Sequence, residues 1–378
     1  MRPLFPMPPI GRCAVTVPTI NNNGAPQMPW RVGPRGSAGS GAGGFDFGAT
    51  EKREETKLKR ITLAAAAAAL IAASPSLAAD KPVYGVLMKT LSNPFWGAME
   101  QGVREGAKEA GVEYFLQAVE SDQAAEPQLN TCNTMLQKKP AAMITAAINS
   151  TILLPCLKQA NEMKIPVADL DGNLDPEITK KAGVEIAFHI GSDNEAAGAK
   201  GADYVAQVLG KDAKGSVLVI EGLSGNITGQ KRARGFANQL KKAAPGLTIV
   251  ASLPGDWDRQ KAANITNDIL QRNPDLAAIF CANDGMALGA VEAARAAGKD
   301  KLIVVGVDGN SDAVKSILAG RLNASVAQLP YLVGKQSVET MKKVLAGEKA
   351  QEMTFVPTLV LTKEVLDAKK EPMLEFVK

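Results

Sequence analysis

Short apolar runs alternate with longer amphipathic stretches along nearly all of the chain beyond residue 80. The runs VYGVLM (83–88), AAMITA (141–146), IPVADLD (165–171), SVLVIEG (216–222), AAIFCAND (277–284) and KLIVVGVDG (301–309) have the length and content of buried strands. The stretches between them have helical spacing. Phe95–Ala110 shows it most clearly: Trp96, Met99, Val103, Ala107 and Ala110 recur every three or four residues, Asn93 can cap, Pro94 fits the first turn and Gly111 stops the helix. Strands alternating with helices predict an α/β fold with parallel sheets covered on both faces. No repeat of fixed period appears. No proline or glycine run divides this part of the chain, so its lobes are expected to be joined by several close crossings.

The first 79 residues follow another pattern. Residues 1–56 hold Pro-rich and Gly/Ser-rich runs without sustained periodicity and read as a disordered or untranslated extension. Lys57, Lys59 and Arg60 then precede an apolar run from Ile61 to Ala73, followed by Pro75, Ser76 and Ala78. That order is the n-region, h-region and cleavage site of a secretory signal peptide, spanning 57–79. The run is shorter than the ~20 residues a transmembrane helix needs. Because a signal peptide belongs at a chain's start, translation is expected to begin downstream of Met1.

Removing the leader changes the charge. Of 43 Lys and Arg, nine lie before residue 80, leaving 34; of 39 Asp and Glu, four lie there, leaving 35. The mature chain is near −1, so the basic balance of the full chain gives no case for a nucleic-acid partner. Its roughly 300 residues suffice for two lobes at ~100–200 residues each. Secretion permits disulfides. Cys132 and Cys156 fall on neighbouring predicted helices, where they either bridge or stay as two buried thiols; Cys281 ends an apolar strand.

In sheets of this kind ligands bind beyond the carboxyl ends of the strands. Those ends carry Lys89, Asn93, Phe95 and Trp96; Asp171; Asn226 and Gln230; Trp257, after ASLPGD; Asn283 and Asp284; Asp308; and Gln328, after SVA. Carboxylates and carboxamides each serve more than one hydroxyl, and aromatic faces cover the C–H face of a sugar ring. The set describes a site for a neutral polyhydroxylated molecule.

The segments KTLSNPFW, EGLSGN, PGDWDR, LQRNPDLAAIFCANDGMALG, VVGVDGN and VAQLP, in that order and spacing, resemble the ribose-type branch of the periplasmic sugar-binding proteins, and within it the allose-type members. The similarity covers about residues 82–362. It implies a periplasmic binding protein type 1 fold: two Rossmann-like lobes joined by a three-crossing hinge, divided as 80–189 plus 329–357 and 190–328 plus 358–378. It also implies capture of a monosaccharide or polyol by closure, delivery to an ABC-transporter permease, a monomeric periplasmic protein, and no cofactor. Asn93, Phe95, Trp96, Asp171, Trp257, Asn283, Asp308 and Gln328 match the family's ligand positions, and Lys89 and Asn226 match the allose-type pattern. Two family arginines are missing: Gly172 stands where one follows the strand-end aspartate, and the other aligns with Gln230, leaving Arg232 as the nearest cation. Arg232 is itself read as a possible helix-surface charge. The losses disfavour ribose, favour an allose-like ligand, and leave another aldose, a ketose or a sugar alcohol open.

Other patterns carry less. Gly39, Gly41 and Gly44 spell G-x-G-x-x-G without a preceding strand or following helix. DLDGNLD (169–175) begins like a calcium loop but has Leu174 for the required glycine and Lys180 for the bidentate glutamate. His189 is the sole histidine and reads as structural. An enzyme needs a nucleophile with its base, or a metal cluster, and no such motif is found, so no catalytic residue is assigned. A transcription regulator of similar fold has a helix-turn-helix where this chain has its signal peptide. Signalling to a chemoreceptor is a further possibility within the transport class.

Overall fold

The computed structural model describes residues 81–377. The extension, the signal peptide and the translation start therefore lie outside the described residues. The strands are β1 (Val83–Leu87), β2 (Glu113–Gln117), β3 (Ala142–Thr145), β4 (Val167–Leu170), β5 (Phe188–Ser192), β6 (Gly215–Glu221), β7 (Leu247–Pro254), β8 (Leu276–Cys281), β9 (Ile303–Asp308), β10 (Ala324–Ala327), β11 (Met353–Val356) and β12 (Leu359–Leu361). The helices are α1 (Pro94–Ala110), α2 (Ala125–Gln137), α3 (Leu154–Glu162), α4 (Pro176–Ala182), α5 (Asn194–Leu209), α6 (Ile227–Ala243), α7 (Arg259–Arg272), α8 (Asp284–Ala296), α9 (Ser311–Leu318), α10 (Pro330–Leu345) and α11 (Lys363–Ala368), with a closing 3₁₀ turn at Pro372–Phe376.

Two six-stranded sheets result, in the orders β11-β5-β4-β3-β1-β2 and β12-β10-β9-β8-β6-β7. Every pairing is parallel except that of β12 with β10. Both sheets are covered on both faces, and the alternation of side chains along each strand sorts them into separate cores. In the first, Tyr84, Val86, Ile144 and Leu170 face one core, while Leu87, Met143 and Val167 face the other. In the second, Leu218 and Ile220 are divided from Val217 and Val219 in the same way. The chain crosses between sheets three times: after β5, between β10 and α10, and between β11 and β12. The C-terminal turn serves both lobes, because Met373 and Phe376 pack on the first core and Leu374 on the second. The tail therefore does not belong to the second lobe alone, as the sequence division had it.

The six apolar runs become β1, β3, β4, β6, β8 and β9. IPVADLD stops at Leu170 because Asp171 turns into the left-handed region at φ 66°, and AAIFCAND stops at Cys281 because Asn283 caps α8. The short edge strands β2, β11 and β12 escape the sequence reading, and so does the inner strand β5, FHIGS, whose His189, Gly191 and Ser192 break up an apolar run. At an edge only part of the strand is buried: β2, EYFLQ, is polar and exposed at both ends. α1 forms as expected, with Asn93 accepting from the Phe95 amide and Gly111 ending the helix at φ 69°.

Cys132 on α2 and Cys156 on α3 are bridged, with Cα atoms 6.2 Å apart, while Cys281 is free and buried. His189 lies opposite Asp169 in the β5–β4 pairing and meets its carboxylate at 2.9 Å. Burial pushes Asp169 up to about 6, against the pull of His189. Asp175 caps α4. Each carboxylate of the calcium-like stretch thus has a different partner.

Candidate ligand-binding cleft

The carboxyl ends of the two sheets face a cavity between the lobes. The first lobe contributes Lys89 after β1, Asn93, Phe95 and Trp96 at the start of α1, Asp122 after β2, and Asp171 after β4. The second contributes Thr228 and Arg232 from α6, Trp257 after β7, Asn283 after β8, Asp308 at the end of β9, and Gln328 after β10.

Each lobe supplies one buried ion pair. Lys89 Nζ donates to Asp171 Oδ2 at 3.2 Å and sits 4.8 Å from the Trp96 ring centroid. Opposite, Arg232 Nη1 lies 3.3 Å from Asp308 Oδ1, with its Cζ 5.7 Å from the Trp257 ring. Arg232 is fixed by two further donations, from Nε to Asn194 Oδ1 at 2.8 Å and from Nη1 to the Ala282 carbonyl at 2.7 Å. Its helix can come that close to α5 only because each helix sets a glycine against the other's backbone: a Cβ on Gly198 of α5 would stand 2.0 Å from the Arg232 carbonyl oxygen, and one on Gly235 would stand 2.0 Å from that of Glu195. Phe95 and Trp96 pack edge to face, with centroids 4.9 Å apart.

Backbone strain gathers here. Asp171, Asp256, Trp257 and Asp308 have φ values of 66°, 53°, 63° and 131°, a region that costs of order 1–3 kcal/mol for residues other than glycine. The packing around them holds these conformations. The Trp257 indole lies where side chains on Gly222 or Gly229 would stand.

Burial raises the Asp308 carboxyl to about 7, although Arg232 and Gln328 both pull it down. Asp284, beneath the Asp308 loop, is raised well above the usual range by burial and by the Asp308 charge; the Asn310 amide and Ser325 hydroxyl donate to it at 2.8 and 2.6 Å. Asp284 is not in the cavity lining: it supports the loop. Burial also raises Asp122, against the opposing effects of Lys89 and of the Trp96 indole N–H.

Of the residues expected at the site, Lys89, Asn93, Phe95, Trp96, Asp171, Trp257, Asn283, Asp308 and Gln328 come together at the cavity. Gln230 does not: it is exposed, two residues from Arg232 and therefore about 200° around the helix from it. Arg232, read as a possible surface charge, is 4 % exposed and lines the cavity, so only the arginine at Gly172 is absent. Phe236, one turn on and buried in the core, marks the inward face on which Arg232 lies. Asn226 also lies outside the lining. Its Oδ1 caps α6 by accepting from the Gly229 amide, and its Nδ2 donates to the Ile148 carbonyl of the other lobe at 2.9 Å. Asp122 and Thr228 were not foreseen. Asp122 follows β2, and recognising that strand would have brought it under the strand-end rule.

Hydrogen bonds span the lobes: besides Asn226 to Ile148, Gln123 Nε2 donates to the Asp256 carbonyl at 2.8 Å, and the Thr228 amide approaches Asn173 Oδ1 at 3.4 Å. The lobes are closed over the cavity.

Residues 84–349 match the model of the periplasmic binding protein domain. The chain is 38% identical over 286 residues to the D-allose-binding periplasmic protein of Escherichia coli strain K12, covering 74% of this chain and 91% of that protein. It is 34% identical over 307 residues to the ribose import binding protein of the same organism, covering 81% and 99%. A crystal structure of an ABC-transporter periplasmic solute-binding protein from Actinobacillus succinogenes 130z with bound D-allose aligns with a TM-score of 0.72 at 32% identity, over 76% of this chain and all of that one. The sheets, the closed cleft and these matches together establish that the chain belongs to the periplasmic binding protein family.

Proposed function

We propose that this protein is the solute-binding component of a carbohydrate ABC transporter. It captures a neutral monosaccharide of the D-allose type in the cleft and delivers it unchanged to a membrane permease from the periplasm, as a monomer. The observation that carries the reading is the pairing within the cavity: both cations, Lys89 and Arg232, already neutralise a carboxylate of their own lobe. No net positive charge is left to select an anion, while indoles from both lobes stay available to cover a ring.

Hydroxyl recognition follows from what each side chain has left. The Asn93 and Asn283 oxygens are occupied in capping α1 and α8, accepting from the Phe95 and Met286 amides at 3.0 and 2.9 Å, which leaves their NH₂ groups as donors. Gln328 Nε2 donates to Asp308 at 2.6 Å, whereas its buried Oε1 has no protein partner and is left to accept. A sugar meeting both lobes at once favours closure by its differential affinity for the closed form. The preference for allose over ribose rests on Lys89, which matches the allose-type pattern and supplies the cation to Asp171, while Gly172 after it carries no side chain that could. Among the described residues no helix is long and apolar enough to cross a membrane.

A thermal-shift screen tests the proposal. The mature chain, stripped of ligand by unfolding and refolding, is heated with aldoses, ketoses and sugar alcohols. A ligand at 100 times its Kd adds ~2.7 kcal/mol and several degrees to the midpoint. D-allose is expected to give that shift; a response confined to acidic, aromatic or nucleoside compounds would overturn the reading.

A further inference from the structure

Asn226 is 1 % exposed, lies outside the cavity lining, and uses the two ends of its amide in different lobes. The oxygen stays at home, accepting from the Gly229 amide at 3.0 Å and the Thr228 hydroxyl at 2.6 Å. The nitrogen crosses the cleft to the Ile148 carbonyl, in the loop beyond β3. Two residues further on, the Thr228 amide faces Asn173 of the first lobe at 3.4 Å, and Asn173 Nδ2 in turn approaches Asp171 Oδ2 at 3.5 Å. The next turn of α6 carries Arg232, bonded to Asp308. The start of α6 thus connects the acid–base pair of one lobe with that of the other. A residue needed only to cap the helix has no use for the second contact, since the oxygen alone caps.

We propose that Asn226 is an interlobe latch: a positioning residue that holds the cleft shut through Ile148, setting the closed population and the residence time of the ligand without touching it. The proposal rests on the reading of the chain as a hinge-closing receptor. A receptor whose binding-competent form is only partly populated shows an apparent Kd equal to the intrinsic value divided by that fraction. Weakening the latch therefore weakens affinity for any ligand and leaves the ranking of ligands intact.

The test uses Asn226→Asp, which retains the capping oxygen and replaces the donor with an oxygen facing the Ile148 carbonyl. Asn226→Ser, a comparable cap too short to cross the cleft, is the second variant should the first fold poorly. Spin labels at Lys108→Cys on α1 and Lys241→Cys on α6, both exposed, report the distance between lobes, with Cys281 protected by burial. Distances are recorded without ligand and with saturating D-allose, and D-allose association and dissociation are followed by stopped flow. The loss of one buried hydrogen bond is expected to lower the ligand-free closed fraction about tenfold and to speed D-allose release about tenfold, with association little changed. A wild-type closed fraction no larger than the variant's, with D-allose release, where it binds, no slower, overturns the latch. If D-allose fails to bind the wild type while the closed fractions differ, the latch stands and the sugar assignment falls.

Discussion

Lowering the pH is expected to weaken sugar binding chiefly through one carboxyl, Asp308. Its ordinary value is 3.8, and burial raises it to about 7 in the ligand-free cleft, where Asp171 and Asp122 add their negative charges and Arg232 opposes them. Ring hydroxyls donating to the carboxylate favour its ionised form, so binding in acid must expel a proton. If only the ionised form accepts sugar, the competent fraction falls from about three quarters at pH 7.5 to about 3 % at pH 5.5, a loss of roughly 25-fold in affinity, or ~1.9 kcal/mol. The folding linkage has the opposite sign. A raised carboxyl contributes stability that is complete below its unfolded value near 3.8 and lost as pH rises through about 7. On acidification the contribution of this group to the ligand-free protein therefore grows while the increment from sugar shrinks. Calorimetric titration at pH 7.5, 6.5 and 5.5 in buffers of different ionisation heat measures both affinity and protons released. Asp308→Asn, which cannot titrate, should bind weakly at all three and lose most of that slope; any residual slope belongs to the other raised carboxyls, Asp122 in the cavity lining and Asp169, raised to about 6, in the first lobe. Equal wild-type affinity at pH 7.5 and 5.5 with no proton exchange would refute the reasoning.

Of the chain's three tryptophans, Trp30 lies outside the described residues and Trp96 and Trp257 line the cavity, so sugar binding should change the intrinsic fluorescence of a protein spanning residues 80–378. Trp257→Ala should cost about 2 kcal/mol of affinity, roughly thirtyfold, as read by calorimetry. Replacing Cys132 and Cys156 by serine opens a loop of 24 residues and should lower unfolding stability by about 3.5 kcal/mol in urea while leaving sugar affinity unchanged. Gln230→Ala, at an exposed position, should leave affinity within about twofold, whereas Arg232→Met strands a buried carboxylate and should lower stability by about 3 kcal/mol or more and abolish binding.

The central strands and most of the cavity were legible in the sequence because both rest on local signals. β1, β3, β4, β6, β8 and β9 are continuous apolar runs, and the strand-end rule brings Lys89, Asp171, Asn283 and Asp308 to one site. What was missed depends on partners distant in the chain. β2 becomes a strand by pairing with β1 from Val83↔Glu113 onwards, and without it Asp122 has no strand end to follow. Arg232 and Gln230 differ by a rotation about α6, and the inward face is the one that packs on α5, where Gly198 meets the Arg232 backbone and Gly235 meets that of Glu195. Asn226 has the residue type of a sugar contact, but its amide is committed to a carbonyl 78 residues away, a pairing that exists only once the lobes have closed.

The most direct test of the account is a calorimetric titration of D-allose into ligand-free protein spanning residues 80–378, with the sugar recovered afterwards and checked by NMR. The account predicts one site per chain, saturable binding, and D-allose returned unchanged. Absence of binding by D-allose, and by the other aldoses, ketoses and sugar alcohols tried in its place, would contradict it.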